Sequence, residues 1–230
     1  MDALLLSIRL ALSVSAILFA MGVPLAYWLA YTHWRGKFLL EAVVALPLVL
    51  PPTVLGFYLL LAMGPAGPLG SYWQRLFGHG LAFSFPGLVI ASVIYSLPFA
   101  VQPLVASFES VDSKLLQASA VLGAGRVRTF WRVIFPLSIP GAITALVLSF
   151  AHTLGEFGVV LMVGGNLPGV TRTVSIAIYD HVQSLDYPGA NRLALILLAF
   201  SFTVLSIVYG VNRRIVHDLA RRLWNPWAAE

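Results

Sequence analysis

Long apolar blocks separated by short polar stretches set the pattern of this chain. Five of them, roughly Leu4–Tyr31, Leu39–Met63, Leu81–Phe108, Leu137–Val163 and Ala190–Val211, are long enough as helices, at about 1.5 Å per residue, to cross about 30 Å of hydrocarbon. A sixth stretch, Val174–Leu185, reaches only about 18 Å as a helix and carries Asp180, His181 and Gln183. Its apolar residues Val174, Ala177, Ile178, Val182 and Leu185 recur at helical spacing, which predicts a helix lying in the membrane interface. The first block begins at Ala3, outlasts the apolar core of a signal peptide and has no basic stretch before it, so it reads as an uncleaved span. The expected fold is an all-α membrane protein of five transmembrane helices, one domain over residues 1–230.

Composition sharpens this reading. Hydrophobic residues make up 59% of the chain and charged residues 10%, against about half and a quarter in globular domains. A soluble chain of this length has no interior large enough to hide that apolar surface. The net charge of +5 would suit a nucleic-acid partner, but the cations sit in short loops beside apolar blocks, where they orient a membrane protein. With five spans and the N-terminus outside, the inside holds Arg35, Lys37, Lys114, Arg126, Arg128, Arg132, Arg213, Arg214, Arg221 and Arg222. The outside keeps Arg9, Arg75, Arg172 and Arg192. Counting the short helix as a sixth span would put the arginine-rich C-terminus outside, so five spans fit better. Tyr27, Trp28, Tyr31 and Trp34 form an aromatic belt at one interface.

Several chemistries drop out. There is no cysteine, hence no disulfide or thiolate. No G-x-x-x-x-G-K-[ST] loop exists to cradle nucleotide phosphates. His33, His79, His152, His181 and His217 have no metal-ligand spacing, and no local motif suggests a nucleophile with its base. The chain is expected to be no enzyme and to carry no cofactor.

The most informative stretch is the loop at about residues 109–136, between the third and fourth spans. Asp112 or Ser113 suits a helix start, after which Leu115, Ala118, Ser119 and Leu122 share a face. Gly123-Ala124-Gly125 permits a sharp break, because glycine tolerates positive φ. In the short helix that follows, Val127, Phe130, Trp131 and Ile134 fall on one side and Arg126, Arg128 and Arg132 on the other. Two short helices joined at a glycine make a compact knob that a partner's cleft could grip; an amphipathic loop resting on anionic headgroups is the other reading.

Within the spans, Pro47, Pro51 and Pro52 interrupt the second and Pro86, Pro98 and Pro103 the third. Each removes a helix hydrogen bond that lipid cannot replace, so such breaks belong beside protein or a watery path; kinks that serve packing alone remain the alternative. Glu156 is the one acid deep in an expected span, flanked by Gly155 and Gly158. His152, one turn earlier, is its expected partner, with a structural hydrogen bond or a gating role both open.

The loop resembles the cytoplasmic loop by which permease subunits of binding-protein-dependent ABC importers engage their ATPase. The family pattern is Glu-Ala-Ala, three residues, Gly, nine residues, then Ile-x-Leu-Pro. Gln117-Ala118-Ser119 stands in the first slot, Gly123 in the second, and Val133-Ile134-Phe135-Pro136 closes it. Within the family the likeness is strongest to the molybdate permeases, with sulfate and tungstate permeases as near relatives. It is carried also by LPLVLPPTVLGFYLLLAMGPAGPLG from Leu46 and LGEFGVVLMVGGNLPGVTRTVSIAIY from Leu154. The resemblance implies a multi-pass protein of the bacterial or archaeal cytoplasmic (inner) membrane, with lipid around it. It implies a second copy of the chain, two cytoplasmic ATP-binding subunits, and a periplasmic or lipoprotein oxyanion-binding protein. Gln117, Ala118, Ser119, Gly123, Arg126, Val133 and Pro136 would form the ATPase dock, and Pro47, Pro51, Pro52, His152 and Glu156 the pore or gate. His152 stands where relatives often carry Arg. Since the spans offer only Arg9 and His152 as cations, specificity is expected to reside mainly in the external binding protein. A membrane scaffold without a conducting path is the reading from another class.

Overall fold

The computed structural model describes residues 2–224, with side chains described as far as residue 210 and at Asn212. The described residues contain no strand. The helices, in chain order, are α1 (Asp2–Tyr31), α2 (Lys37–Val49), α3 (Pro52–Met63), α4 (Pro68–Phe77), α5 (Phe85–Glu109) and α6 (Ser113–Val121). Then come α7 (Arg126–Thr129), a π-helical turn (Phe130–Ile134), α8 (Phe135–Leu137), α9 (Ile139–Gly155), α10 (Gly158–Gly164), α11 (Val174–Gln183) and α12 (Tyr187–Trp224).

Among the described residues, three helices are long and apolar enough to cross a bilayer: α1, α5 and the Tyr187–Gly210 part of α12. Two bent pairs raise the number to five if each counts as one span: α2 with α3, bent by 111°, and Arg126–Leu137 with α9, bent by 71°. The core lies where α1, α5 and α9 meet. Ala26, Leu29, Val101, Leu104, Phe108 and Ala145 fill it toward the α6 end, while Leu10, Val14, Leu18, Leu88 and Val160 fill the other half. Lipid tails are as apolar as these side chains, so close approach between backbones has to stabilise the bundle. Gly22 brings α1 within ordinary contact of Leu104 and Ala100. Gly141 leaves α9 so near Ser107 of α5 that no side chain would fit between them. Ser107 and Ser138 each donate a hydroxyl to the other's carbonyl there, at 3.4 and 3.3 Å.

The prolines act differently from expectation. Pro98 and Pro103 lie inside a continuous α5, and Pro86 sits in its first turn, where a missing N–H costs nothing. α1 and α9 pack along α5, and its helix runs unbroken through both inner prolines. Pro47 is buried inside α2 and interrupts nothing. The second span breaks only at Leu50–Pro51, with Pro52 opening α3. The expected Leu137–Val163 span also divides, at Glu156 and Phe157, into α9 and α10.

These two breaks pack against each other. A Cβ on Gly158, the first residue of α10, would lie 2.7 Å from Pro52 Cβ. One on Gly56 of α3 would lie 2.8 Å from Met162 Cβ of α10. Leu59, Met63, Leu81, Ala91, Val159 and Val163 close the seam.

The short helix α11 is not laid free in the interface. It packs on α1 and α12, with Val174, Ile176 and Ala177 buried, and Val174 N–H donates to Ser7 Oγ at 2.8 Å. Leu185 lies beyond its end at positive φ, fully out of the expected stripe. The pattern was right about a helix and wrong about its face, because α1 supplies a polar anchor at Ser7. The amphipathic α4 was not anticipated; Gly70 seats it on the Met63 and Gly64 carbonyls.

If the seam holds the fold, Gly158→Val should lower the stability of the detergent-solubilised protein by about 1–3 kcal/mol, the usual cost of overpacking. Gly125→Ala, where an added Cβ meets nothing within 4 Å, should melt with the wild type. A Gly158→Val protein of unchanged thermal stability would contradict the seam.

Candidate functional site: a docking arm and a polar interior

The loop between α5 and α9 folds as an arm of two limbs. Asp112 caps α6, its Oδ1 accepting from Lys114 N–H at 2.8 Å. At the other end the chain reverses through Gly123 at φ +73°. Gly123 N–H donates to Ala120 O at 2.9 Å and Ala124 N–H to Ser119 O at 3.0 Å. This paired closure uses the left-handed conformation that glycine supplies without strain. Ser119, buried, hydrogen-bonds Thr129 at 2.8 Å and ties the two limbs together. The tip is apolar and bare: Val121 is 87% and Leu122 84% exposed. Gln117, Ala118 and Arg126 are exposed near it, whereas Val133 and Pro136 are half-buried at the root.

The root depends on the π-helical turn, where Phe135 N–H reaches back to Phe130 O. The wider turn aims Phe130 inward, its ring centroid 5.1 Å from Tyr27 and 6.0 Å from Phe108. Tyr31 donates its hydroxyl to Phe108 O at 2.7 Å, so the ends of α1, α5 and the arm share one aromatic cluster. Lys37 adds ion pairs to Glu41 at 3.3 Å and Glu109 at 3.1 Å, exposed contacts of small energetic value.

The helical wheel divides this limb incorrectly. Phe130 and Ile134 do pack inward, but Val127 is 73% and Trp131 60% exposed, and Arg126 lines the same groove as both. On α6, Ser119 is buried while Leu115 and Leu122 are exposed. A period of 3.6 residues cannot anticipate a π-turn or a helix that ends in a reversal.

The polar interior lies between α5 and the end of α9. His152 Nδ1 hydrogen-bonds Ser96 Oγ at 2.9 Å, Ser96 in turn meets Thr153 Oγ1 at 3.0 Å, and the imidazole stacks on Phe99 with centroids 3.9 Å apart. Glu156 is 5% exposed. Neither of its carboxylate oxygens makes a well-aligned hydrogen bond, although Ser92 Oγ lies beside it, close enough to interact. The expected His152–Glu156 pair does not form. Glu156 lies past the end of α9 with ψ at 136°, so the i, i+4 relation that would stack the two side chains on one helix face is broken. Ser92, Ser96 and Phe99, each a turn or so apart on one face of α5, complete the site; that spacing was readable in the sequence. Of the expected gate residues, the structure brings Pro52 against Gly158, two residues after Glu156, and leaves Pro47 and His152 with other neighbours.

At the opposite end from the arm, Arg172 donates to Asn166 Oδ1 at 2.7 Å, and Asn166 donates to both Asp180 oxygens at 2.9 Å. Asp186 accepts from Gly189 N–H at 3.0 Å and pairs with His181 at 2.8 Å. The Gly189 amide, then the His181 contact, hold this carboxyl below the usual carboxylate range. Among the described residues no group of three or more His, Asp or Glu side chains gathers as a metal site.

Apolar spans broken against each other, with an arm presented at one end, are the architecture of a membrane permease component. Residues 22–219 match the family described as "Binding-protein-dependent transport system inner membrane component", and the chain belongs to that family. Among its relatives, the "Molybdenum transport system permease protein ModB" of Azotobacter vinelandii is 53% identical over 92% of this chain and 93% of its own. The protein of the same name from Escherichia coli (strain K12) is 42% identical over 90% of each. Solved structures share the fold at low identity. A bacterial ABC transporter for the import of the acidic polysaccharide alginate aligns with TM-score 0.73 and 18% identity, covering 92% of this chain and 79% of that one. The MetNI methionine ABC transporter, in an inward-facing conformation, gives 0.72 and 14%, covering 93% and 94%.

A buried carboxyl without a partner is costly in a membrane protein. Glu156→Gln, which keeps shape and removes formal charge, should therefore assemble and melt at or above wild type, while Glu156→Lys should fail to accumulate. A Gln variant that loses several degrees in melting temperature would show that the carboxylate has a stabilising partner after all.

Proposed function

We propose that this chain is the transmembrane permease subunit of an ABC importer that carries molybdate into the cytoplasm, powered by ATP hydrolysis on a separate subunit. The observation that carries the reading is the 53% identity, over 92% of the chain, to a molybdenum transport permease. The arm around Gly123 supports it independently, as a rigid and apolar-tipped contact for another protein. In this reading the whole chain is one permease domain, and two copies face each other around the path. The N-terminus lies outside, the C-terminus and the arm inside, in accord with the distribution of Lys and Arg. Two ATP-binding subunits grip the arms through Gln117, Ala118, Ser119, Gly123 and Arg126, with Val133 and Pro136 fixing the root. An external oxyanion-binding protein delivers the substrate. The chain itself performs no chemistry.

The breaks next to Pro51, Pro52 and Glu156 are where the path would open and close. They are the points at which spans lack continuous hydrogen bonding, and so bend at least cost. Sulfate is the second reading. It rests on 33% identity, over 83% of this chain, to the "Probable sulfate transport system permease protein cysT" of Chlorokybus atmophyticus.

The test is uptake into vesicles holding the permease with its ATPase and a molybdate-loaded binding protein. ATP-dependent molybdate uptake that excess tungstate inhibits and sulfate does not is expected. Uptake of sulfate in preference to molybdate would overturn the substrate assignment. In the same vesicles, Gly123→Val must place a β-branched residue at positive φ, a strain of about 1–2 kcal/mol or roughly five- to thirty-fold in an equilibrium. It should weaken ATPase association by that factor while insertion stays intact. Wild-type association would remove the arm from the coupling path.

A further inference from the structure

One face of α5 stays open where the rest of the helix is covered. Gln102, Ala106 and Glu109 are its exposed residues, and their spacing of four and then three puts them on one side. They form a wall of a recess of about 300 Å³, which Glu41 and Val44 of α2 and Leu29 of α1 enclose from the other side. Lys37 bridges its two acids, reaching Glu41 at 3.3 Å and Glu109 at 3.1 Å. Glu109 ends α5 just before the arm, so the mouth of the recess lies at the arm's end of the bundle. Gln102 is the deep end, about 10 Å further in along the helix.

The position of Gln102 decides what fills this space. α5 has 25 residues, about 37 Å of helix, which exceeds about 30 Å of hydrocarbon by about 7 Å. A residue about 10 Å from the end of α5 therefore lies within the hydrocarbon even if the whole excess falls on that side. Its amide is exposed there rather than folded into the protein. Polar side chains at that depth face protein or a watery cavity, because lipid offers them no hydrogen bond.

We propose that this recess is the inner vestibule of the transport path, through which the oxyanion leaves toward the arm's end, and that Gln102 is the side chain that hydrogen-bonds it on the way. The inference rests on the permease reading above and adds the residues that line the exit. Gln102 is the one side-chain donor of the described lining, since the carboxylates of Glu41 and Glu109 accept. A neutral amide holds an oxyanion weakly, and two acids against one lysine add no attraction for it. Both properties suit an exit, where a dianion passes and is not retained.

The chain has no cysteine, so single cysteines can be placed in the full chain, assembled with its ATPase in membrane fragments open on both sides. The probe is a membrane-impermeant methanethiosulfonate that carries a sulfonate, read on the permease band. Gln102→Cys should react on the order of tenfold faster than the lipid-facing control Leu198→Cys, because the reactive thiolate forms only where water reaches. Leu198 is 66% exposed on α12, so exposure alone does not separate the two. Ala106→Cys, on the same wall, should react like Gln102→Cys and stands in for it if that variant fails to insert. Cysteines on this wall no more reactive than Leu198→Cys would mean that lipid or a second copy fills the recess, and would overturn the proposal. Gln102→Glu, of the same size, should lower oxyanion uptake per assembled complex about fivefold, the effect of one like charge at contact distance in water. Unchanged uptake would remove Gln102 from the route. Vesicles that take up sulfate in place of molybdate would sink the substrate reading alone, since cysteine accessibility needs no oxyanion.

Discussion

A backbone interrupted at membrane depth needs protein around it, because lipid offers nothing to its carbonyls and amides. Among the described residues, two such interruptions fall within the expected spans, after Leu50 and after Gly155. The chain meets the constraint by packing them together. Gly158 gives Pro52 the space for its ring, and Gly56 does the same for Met162 one turn further on. Either glycine with a side chain would push the breaks apart. Much else follows from that seam: the 111° bend between α2 and α3, the short α10, and the placing of Glu156 in a buried turn rather than on a helix face.

The arm and the seam are joined by one continuous stretch of chain. From the apolar tip, Ser119 and Thr129 lock the limbs, and the π-turn plants Phe130 among Tyr27, Tyr31 and Phe108. Beyond Pro136 the chain enters α9, which Gly141 and the Ser107–Ser138 exchange clamp to α5. α9 then ends at Glu156, directly before the seam. A displacement of the tip has few compliant points along this route. Because α9 is clamped to α5, a displacement of the arm would carry the two helices together and reach the break between α9 and α10.

The elements that could be read from the sequence are those where local chemistry and tertiary packing agree. Positive φ at Gly123, the Asp112 cap, the five apolar blocks and the rupture at Pro51–Pro52 belong to that group. Pro98 and Pro103 were misleading because packing on both sides of α5 outweighs two lost hydrogen bonds. The π-turn has no periodic signature, so the faces assigned to Val127, Trp131 and Arg126 could not have come out right. Glu156 was conspicuous as an isolated acid, but its pairing with His152 assumed a helix that the seam interrupts. The Gly158–Pro52 contact joins residues 106 apart in sequence, and no single-chain pattern reports such an encounter.

The most direct test of the seam uses the absence of cysteine from the chain. A Cβ on Gly56 would be 2.8 Å from Met162 Cβ, closer than the separation of about 3.5–4.5 Å that a disulfide needs, so with Gly56→Cys and Met162→Cys together the two helices need part by only about 1 Å for the bond to close. Mild oxidation in native membranes should form an intramolecular bond in most molecules, seen as a faster-migrating monomer that reductant reverses. A double variant that inserts normally yet stays reduced, or links only between chains, would contradict the packing of the two breaks.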